Sequence, residues 1–408
     1  MGDLRRARGG GIVNDFDVDV ALIGAGATGL YLAALFARDG LRVRLLERRS
    51  EPTHHSRAIG IHPPGLEALD EVGAATPLLE RGVRVTRGHA TAGDRQRGVR
   101  HLGTLDFAAT LDGDHRFVLT VPQSDTEAVL EARLAALAQG ALRRGVRVTH
   151  WQEDAEGVTV HDDAGGSLRT PLLVACTGAK GASHESLGAH VAGGPYPDTY
   201  VMADLPQSAE RFPSSAAGMP GPEEALIHLA PHGVVEAFPL PGGIRRWVVK
   251  TPRLLDDADP AHLAELAFER LGVTLDAQAV TMTSAFGVQH RRTRPFARGR
   301  TWLAGDAAHV VAPIGGQGMT LAWLGARTLR DAWRAHLEGH TSTEEAARRY
   351  DARQHPRARR AELRGAVNMQ LGRATRLHPL RGGLVRLALH DPLAGRLARI
   401  FTMQEGGA

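Results

Sequence analysis

Residues 18–29 read Val-Asp-Val-Ala-Leu-Ile-Gly-Ala-Gly-Ala-Thr-Gly, and residues 30–47 continue Leu-Tyr-Leu-Ala-Ala-Leu-Phe-Ala-Arg-Asp-Gly-Leu-Arg-Val-Arg-Leu-Leu-Glu. The apolar run Val18 to Ile23 predicts a strand, Leu30 to Asp39 has helical periodicity, Gly40 breaks it, and Leu41 to Leu46 leads a second strand into Glu47. Strand, glycine turn, helix, strand and acid in that order form a βαβ unit with a dinucleotide fingerprint. Gly24 permits the tight turn, Gly26 lets a pyrophosphate approach the backbone, and Gly29 lets helix and sheet pack closely. The helix start, with Ala27 and Thr28, offers unpaired N–H groups and a positive dipole end to phosphates. Glu47 can accept both hydroxyls of an adenosine ribose, with Arg48 beside it.

At 408 residues the chain has room for two or three domains. No apolar run reaches the ~18 residues a bilayer span needs. Residues 1–16 carry arginines but no apolar core, so a disordered tail is expected rather than a secretion signal. Cys176, the sole cysteine, excludes an internal disulfide and a cysteine-cluster metal site, and suits a reducing cytoplasm. All but two of the 49 basic residues are arginine, yet they are scattered among acids along the whole chain. That pattern speaks against nucleic-acid binding, which needs the charge gathered on one face.

Further along, Pro63 to Val72 reads as a helix and Val83 to Val121 as β-rich. Ser124 to Leu142 is helical, with Ser124 placed to cap and Glu127 three residues on. Short strands are expected at Val146–His150, Val158–His161 and Leu172–Ala175, more strands over Tyr200–Thr251, and a helix over Pro260–Leu271. Trp302 to Asp306 reads as a strand ending on a turn, and helices follow from Gly318. The expected class is α/β: a Rossmann-type nucleotide domain with an inserted β-sheet substrate domain and a C-terminal helical region. The expected boundaries are 17–80, 119–190 and 280–340 for the first, 81–118 and 191–279 for the second, and 341–408 for the third. The leucines Leu377, Leu380, Leu384 and Leu387 have helical spacing. Packing across the other domains or a dimer contact suits them better than a membrane surface, because Pro379, Gly382, Gly383 and Pro392 break the run.

Residues 305–319 (Gly-Asp-Ala-Ala-His-Val-Val-Ala-Pro-Ile-Gly-Gly-Gln-Gly-Met) give a second glycine-rich turn opening a helix. With the amino-terminal fingerprint, this segment resembles the class A FAD-dependent aromatic hydroxylases, typified by para-hydroxybenzoate hydroxylase. The likeness also takes in Ser56-Arg57-Ala58, Gln123, Phe238 to Gly243 followed by Arg246-Trp247, and Tyr350 to Arg353. It implies that Gly24, Gly26 and Gly29 hold an FAD pyrophosphate, and that Glu47 binds the ribose. Arg57 and Gln123 would contact the phosphate and ribityl region, and Asp306 the ribityl chain or phosphates. Pro313, Gly316, Gly318, Met319 and Thr320 would lie at the isoalloxazine. It further implies a reaction of reduced FAD with O2, through a C4a-hydroperoxide, that hydroxylates or epoxidises a small to medium organic substrate. NADPH or NADH would be the electron donor. The substrate side would draw on Pro313, Ile314 and Gly315, and on His228, Phe238 and Trp247 of the inserted sheet. No residue is singled out as a protein catalyst, and monomer and homodimer are both open.

The sequence departs from the family where Asp-Gly followed by Arg is usual: here Thr177-Gly178 stands, and His184 takes the place of the Arg. Thr320 and Gly325 stand where Asn and Asp are common. These departures keep an alternative in view, an FAD-retaining cyclase or isomerase without a redox cycle.

Overall fold

The computed structural model describes residues 16–52, 58–181, 183–213, 218–390 and 392–404. Along the chain the elements used below are β1 (Val20–Ile23), α1 (Ala27–Arg38), β2 (Val43–Glu47), α2 (Pro63–Glu71), β3 (Arg87–Asp94), β4 (Gly98–Asp106), α3 (Gln123–Leu137), β5 (Leu142–Arg144) and β6 (Leu173–Ala175). Then come β7 (His190–Pro206), β8 (Ala225–Ala230), β9 (Gly233–Leu240), β10 (Ile244–Thr251), α4 (Pro260–Leu271), β11 (Met282–Arg294), β12 (Ala297–Arg298), β13 (Thr301–Leu303) and β14 (His309–Val310). Four helices close the chain: α5 (Gly318–Leu337), α6 (Thr343–Gly372), α7 (His378–Ala388) and α8 (Leu393–Phe401).

A six-stranded sheet runs β12-β13-β6-β1-β2-β5. Its β13, β6, β1, β2 and β5 are parallel, and only β12 runs against them. Each parallel step needs a crossover: α1 supplies the one from β1 to β2, a small antiparallel sheet over residues 148–170 the one from β5 to β6, and most of the second sheet lies in the one from β6 to β13. Alternate residues of β1 serve the two faces: Val20 and Leu22 join the main core with α1, α3 and α5, while Ala21 packs toward a small antiparallel sheet that includes Val158 and Val160. α1 is apolar nearly all round because sheet and helices enclose it; Leu30 to Phe36 are buried.

The second sheet has eight strands, β14-β11-β7-β10-β9-β8-β3-β4. One face buries Leu226, Val235, Ala237 and Trp247 under Leu263, Ala267 and Leu271 of α4. α4 forms as expected, with Asp259 capping it through Ala261 N–H and Gly272 closing it at φ +78°. The opposite face carries Tyr200, Met202, Leu229, Val234 and Val248 against Ala312, Met369 and Val385.

Three expectations are corrected here. β11 pairs with β7 over most of its length, so residues 282–294 belong to the larger sheet and not to the nucleotide domain expected from residue 280. The helix expected from Ser124 begins at Gln123 on the corner made by Pro122, and Glu127 reaches another element rather than closing a capping box. Leu377, Leu380, Leu384 and Leu387 are each more than 60% exposed, which overturns the packing across the other domains and leaves the expected dimer contact open. Phase decides this: the inward stripe of α7 is Arg381, Gly382, Val385 and Leu389, which face the second sheet. The tail expected over residues 1–16 falls outside the described residues up to residue 15.

Arg381 fastens that stripe. Its Nη1 donates to Leu371 O (2.9 Å) and Arg373 O (2.7 Å), and its Nη2 to Leu229 O (3.1 Å) and Ala230 O (2.8 Å). One buried fork thus joins the end of α6, the start of α7 and the end of β8. Arg381→Met keeps the stem and strands four carbonyls. It should lower unfolding free energy by roughly 3 kcal/mol, read as a shift in the urea midpoint.

Candidate cofactor cleft and substrate face

Two glycines of the first turn are demanded by the protein's own packing. A Cβ on Gly24 (φ +102°) would fall 2.4 Å from Cys176 O, and one on Gly29 would fall 1.9 Å from Gly24 O. Gly26 is different. Its backbone is ordinary (φ −83°), and the nearest atom to a Cβ there is Glu127 Oε1 at 3.8 Å. Its glycine character therefore answers to no neighbour in the chain, which is what an approaching ligand requires.

Around this turn the acids are arranged tightly. Glu47 Oε2 accepts from Ala25 N–H (2.8 Å), and its Oε1 from the Arg49 N–H and Nε–H (3.0 Å each). Burial pushes its carboxyl upward, but those donors prevail and hold it below the ordinary range. Glu127 Oε1 accepts from Ala27 N–H (3.2 Å) and Gln123 Nε2–H (2.7 Å), so a carboxyl raised by burial sits at the start of α1. Arg48 is exposed, and Arg57 lies outside the described residues.

The second turn meets the first. Gly305 has φ +62°, and a Cβ there would lie 2.6 Å from Thr28 Oγ1. Trp323 Nε1, on α5, donates to Ala27 O (3.2 Å) in the buried interior. The two motifs, some 280 residues apart, are thereby pressed together. Asp306, next to this joint, is exposed although dense protein surrounds its carboxyl. Burial raises its carboxyl to about 6, and among the described residues it has no hydrogen-bond partner.

Gly315 and Gly316 both adopt positive φ (+96° and +66°) and turn the chain into α5. His62 Nε2 donates to Gly315 O (2.8 Å), so Nε2 carries the proton. Burial lowers that imidazole to about 4, which keeps it neutral. Gln317 is tied through Nε2 to Phe401 O (3.0 Å), and the Phe401 ring meets His62 edge-on. The first N–H groups of α5 have no side-chain cap. Pro313 is exposed, while Ile314, Gly315, Gly316 and Gly318 are half-buried. Met319 packs on the main core. The Thr320 side chain is corrected: its hydroxyl accepts from His62 N–H (3.3 Å) against Gly65, fixing α2 rather than facing the cleft.

The Thr177 loop closes on itself. Thr177 Oγ1 pairs with Ser183 Oγ (2.8 Å), and His184 Nδ1 donates to Gly181 O (3.2 Å). Cys176, raised to about 12 by burial, is inert. His309, with Gln354 at 3.1 Å, is structural as expected.

The inserted sheet separates the three residues expected to line it. His228 is fully buried, contacting Thr91 Oγ1 through Nδ1 (2.9 Å) and donating Nε2–H to Arg270 O (3.0 Å) of α4. Trp247 packs under the same helix. Both therefore lie on the face away from Ala312 and Ile314. Phe238 is in phase with Val234 and Glu236, on the face toward them. Period-2 alternation sorts the three. Sequence reasoning missed Glu127, His62 and Glu236. The last was visible as a lone acid in the apolar strand 233–240.

The match to known proteins follows this geometry. Residues 17–364 match the family described as FAD binding domain. The chain belongs to that family, the class A FAD-dependent aromatic hydroxylases. It is 31% identical to rifampicin monooxygenase of Streptomyces venezuelae, over 83% of this chain and 68% of that one. It is 28% identical to the anhydrotetracycline hydroxylase OxyS of Streptomyces rimosus, with a TM-score of 0.73 over 95% of this chain and 76% of that one. A Diels-Alderase, PyrE3 of pyrroindomycin biosynthesis, shares the fold at 23% identity and a TM-score of 0.76, over 94% and 80%. The chain spans 57% to 68% of the length of three curated relatives.

The residues present fit FAD: an open Gly26, a helix start for a diphosphate, and an unpartnered Asp306 able to accept from a sugar hydroxyl. Gly26→Ala should therefore fold, with flavin-free stability within about 0.5 kcal/mol of the parent, while FAD Kd rises at least about tenfold. Gly29→Ala should fail to fold. Asp306→Asn should separate stability from binding. Because the folded carboxyl is raised above the unfolded one, the wild type loses stability as pH climbs from about 4 through 6. The flavin-free variant should then unfold later than wild type at about pH 8, by no more than about 1 kcal/mol given its solvent access, and match it at about pH 4. Its FAD affinity should fall at both.

Proposed function

We propose that this protein is an FAD-dependent monooxygenase that hydroxylates or epoxidises an aromatic, polycyclic small molecule, with a nicotinamide nucleotide as electron donor and O2 as co-substrate. The observation that carries this reading is the convergence of two glycine turns, locked by Thr28 against Gly305, with the loop after the second turn seated through Ala312 and Ile314 on an apolar sheet face. Relatives named for hydroxylating anhydrotetracycline support the polycyclic class. Among the described residues no helix is long and apolar enough to cross a membrane, and a cytoplasmic enzyme is the reading adopted.

The backbone at Gly26 and Thr28 would hold the FAD diphosphate, Glu47 the ribose, Asp306 the ribityl chain, and the loop from Pro313 to Gly318 the ring. Bound and reduced, FAD supplies the electrons that split dioxygen, one atom entering the substrate and the other leaving as water. The chain supplies the setting. The uncapped start of α5 favours negative charge at the ring position. His62 fixes the Gly315 carbonyl, and its neutrality spares the loop a competing charge. Met202, Val248 and Leu229 across from Ala312 exclude water that would otherwise quench activated oxygen.

Anaerobic mixing of the flavin-loaded protein with NADH or NADPH tests this. Flavin bleaching, followed by transfer of labelled oxygen from O2 to a polycyclic phenol, is expected. Turnover with oxidised flavin and no reductant would identify the non-redox cyclase instead.

A further inference from the structure

Glu236 sits in the middle of β9, on the face turned to the second glycine loop. It is 5% exposed. Pairing places Ile227 on one side and Val248 on the other, with Met202 and Ala90 beyond them. The row across the sheet is thus apolar except for one carboxyl. Val234 and Phe238 flank it along the strand. Ala312 and Ile314, Met369 of α6, and Val385 of α7 pack against the same face.

Among the described residues no cation pairs with this acid. Arg246 on β10 is bound to Asp204 (2.7 Å). Lys250 on β10 and Arg373 after α6 both hold Asp198, at 2.8 and 2.6 Å. Arg381 on α7 is committed to four main-chain carbonyls. Among the described residues Glu236 has no hydrogen-bond partner. Neither has the Tyr200 hydroxyl, which is buried on the same face and is raised by burial and then by the charge of Glu236. A nearly buried carboxyl and a buried hydroxyl, both without a partner on one apolar sheet face, are costly to the fold. A bound molecule that hydrogen-bonds to them removes that cost.

We propose that Glu236 is the polar anchor of the substrate chamber, accepting a hydrogen bond from a phenolic or enolic hydroxyl of the substrate, with the Tyr200 hydroxyl as its companion. This rests on the monooxygenase reading only for where the substrate lies. A carboxylate acceptor increases electron density on a phenol ring and sets which ring edge is presented to the cofactor loop. Burial raises Glu236 to about 7, so the ionised acceptor is available at working pH.

The test is equilibrium binding to the flavin-loaded protein, read by flavin absorbance and separately by tryptophan fluorescence. The probes are alizarin and naphthol, each beside its methyl ether. Wild type should prefer the phenols by at least about tenfold. Glu236→Leu should bind phenol and ether alike within about threefold, and Glu236→Gln should fall between. Both variants should melt no lower than wild type at about pH 8, because each removes a buried uncompensated charge. If Leu does not fold, the Gln variant carries the comparison. Equal binding of ethers by wild type, binding of no phenol, or an unchanged preference in the variants overturns the assignment. Oxygen transfer is not measured in any arm, so a failed monooxygenase reading would show separately.

Discussion

Thr28 fills the volume that any side chain at Gly305 would need. That single steric fit governs the rest of the molecule. It holds the head of α1 against the turn after β13, and Trp323 seals the junction by reaching Ala27 O. With those two turns clasped, Glu47, Glu127 and Asp306 gather around one joint, and Ala312 and Met319 at the ends of the following loop pack on the second sheet and on the main core. His62 and Phe401, in contact with each other, then hold that loop at Gly315 and Gln317. Interiors are packed too densely for such a joint to be slack.

The distribution of charge follows a common logic. The chain is rich in arginine, yet the arginines at the centre are spent on structure: Arg381 on main-chain carbonyls, Arg245 on the buried Glu210, Arg373 on Asp198. The acids near the cleft and chamber are treated otherwise. Glu127, Asp306 and Glu236 are all raised by burial. Arranging titratable groups in this way is characteristic of sites built to meet a ligand.

What was legible in the sequence was local. The βαβ unit, Gly24, Gly26, Gly29 and Glu47 could be read because one short segment contains all their constraints. α4 was legible from its cap, its proline and its terminal glycine. What failed depended on phase or partner. Nothing in the leucine spacing of residues 377–387 says which stripe of the helix turns inward; Gly382 and Arg381 do so only once the sheet is present. His228 and Phe238 differ by an even number but lie on different strands, so their faces are set by register and not by counting. Ser124 and Glu127 have capping-box spacing, yet Pro122 starts the helix early and Glu127 is drawn to Ala27 N–H. β11 looked like a return to the first domain because its partner β7 lies about 90 residues earlier.

The sheet order has a consequence for how the polypeptide is made. β1 lies between β2 and β6, and β6 lies beside β13, so β1 gains its second lateral neighbour only when Ala175 has been synthesised, and β6 gains its own only when Leu303 has. Until then the edge of Val20–Ile23 has β2 alone for company, and the edge of β6 waits about 125 residues longer. Non-local closure of this kind is slow and leaves sticky intermediates. Recombinant yield should consequently respond to chaperones and to growth temperature more than to the final thermodynamic stability of the folded protein.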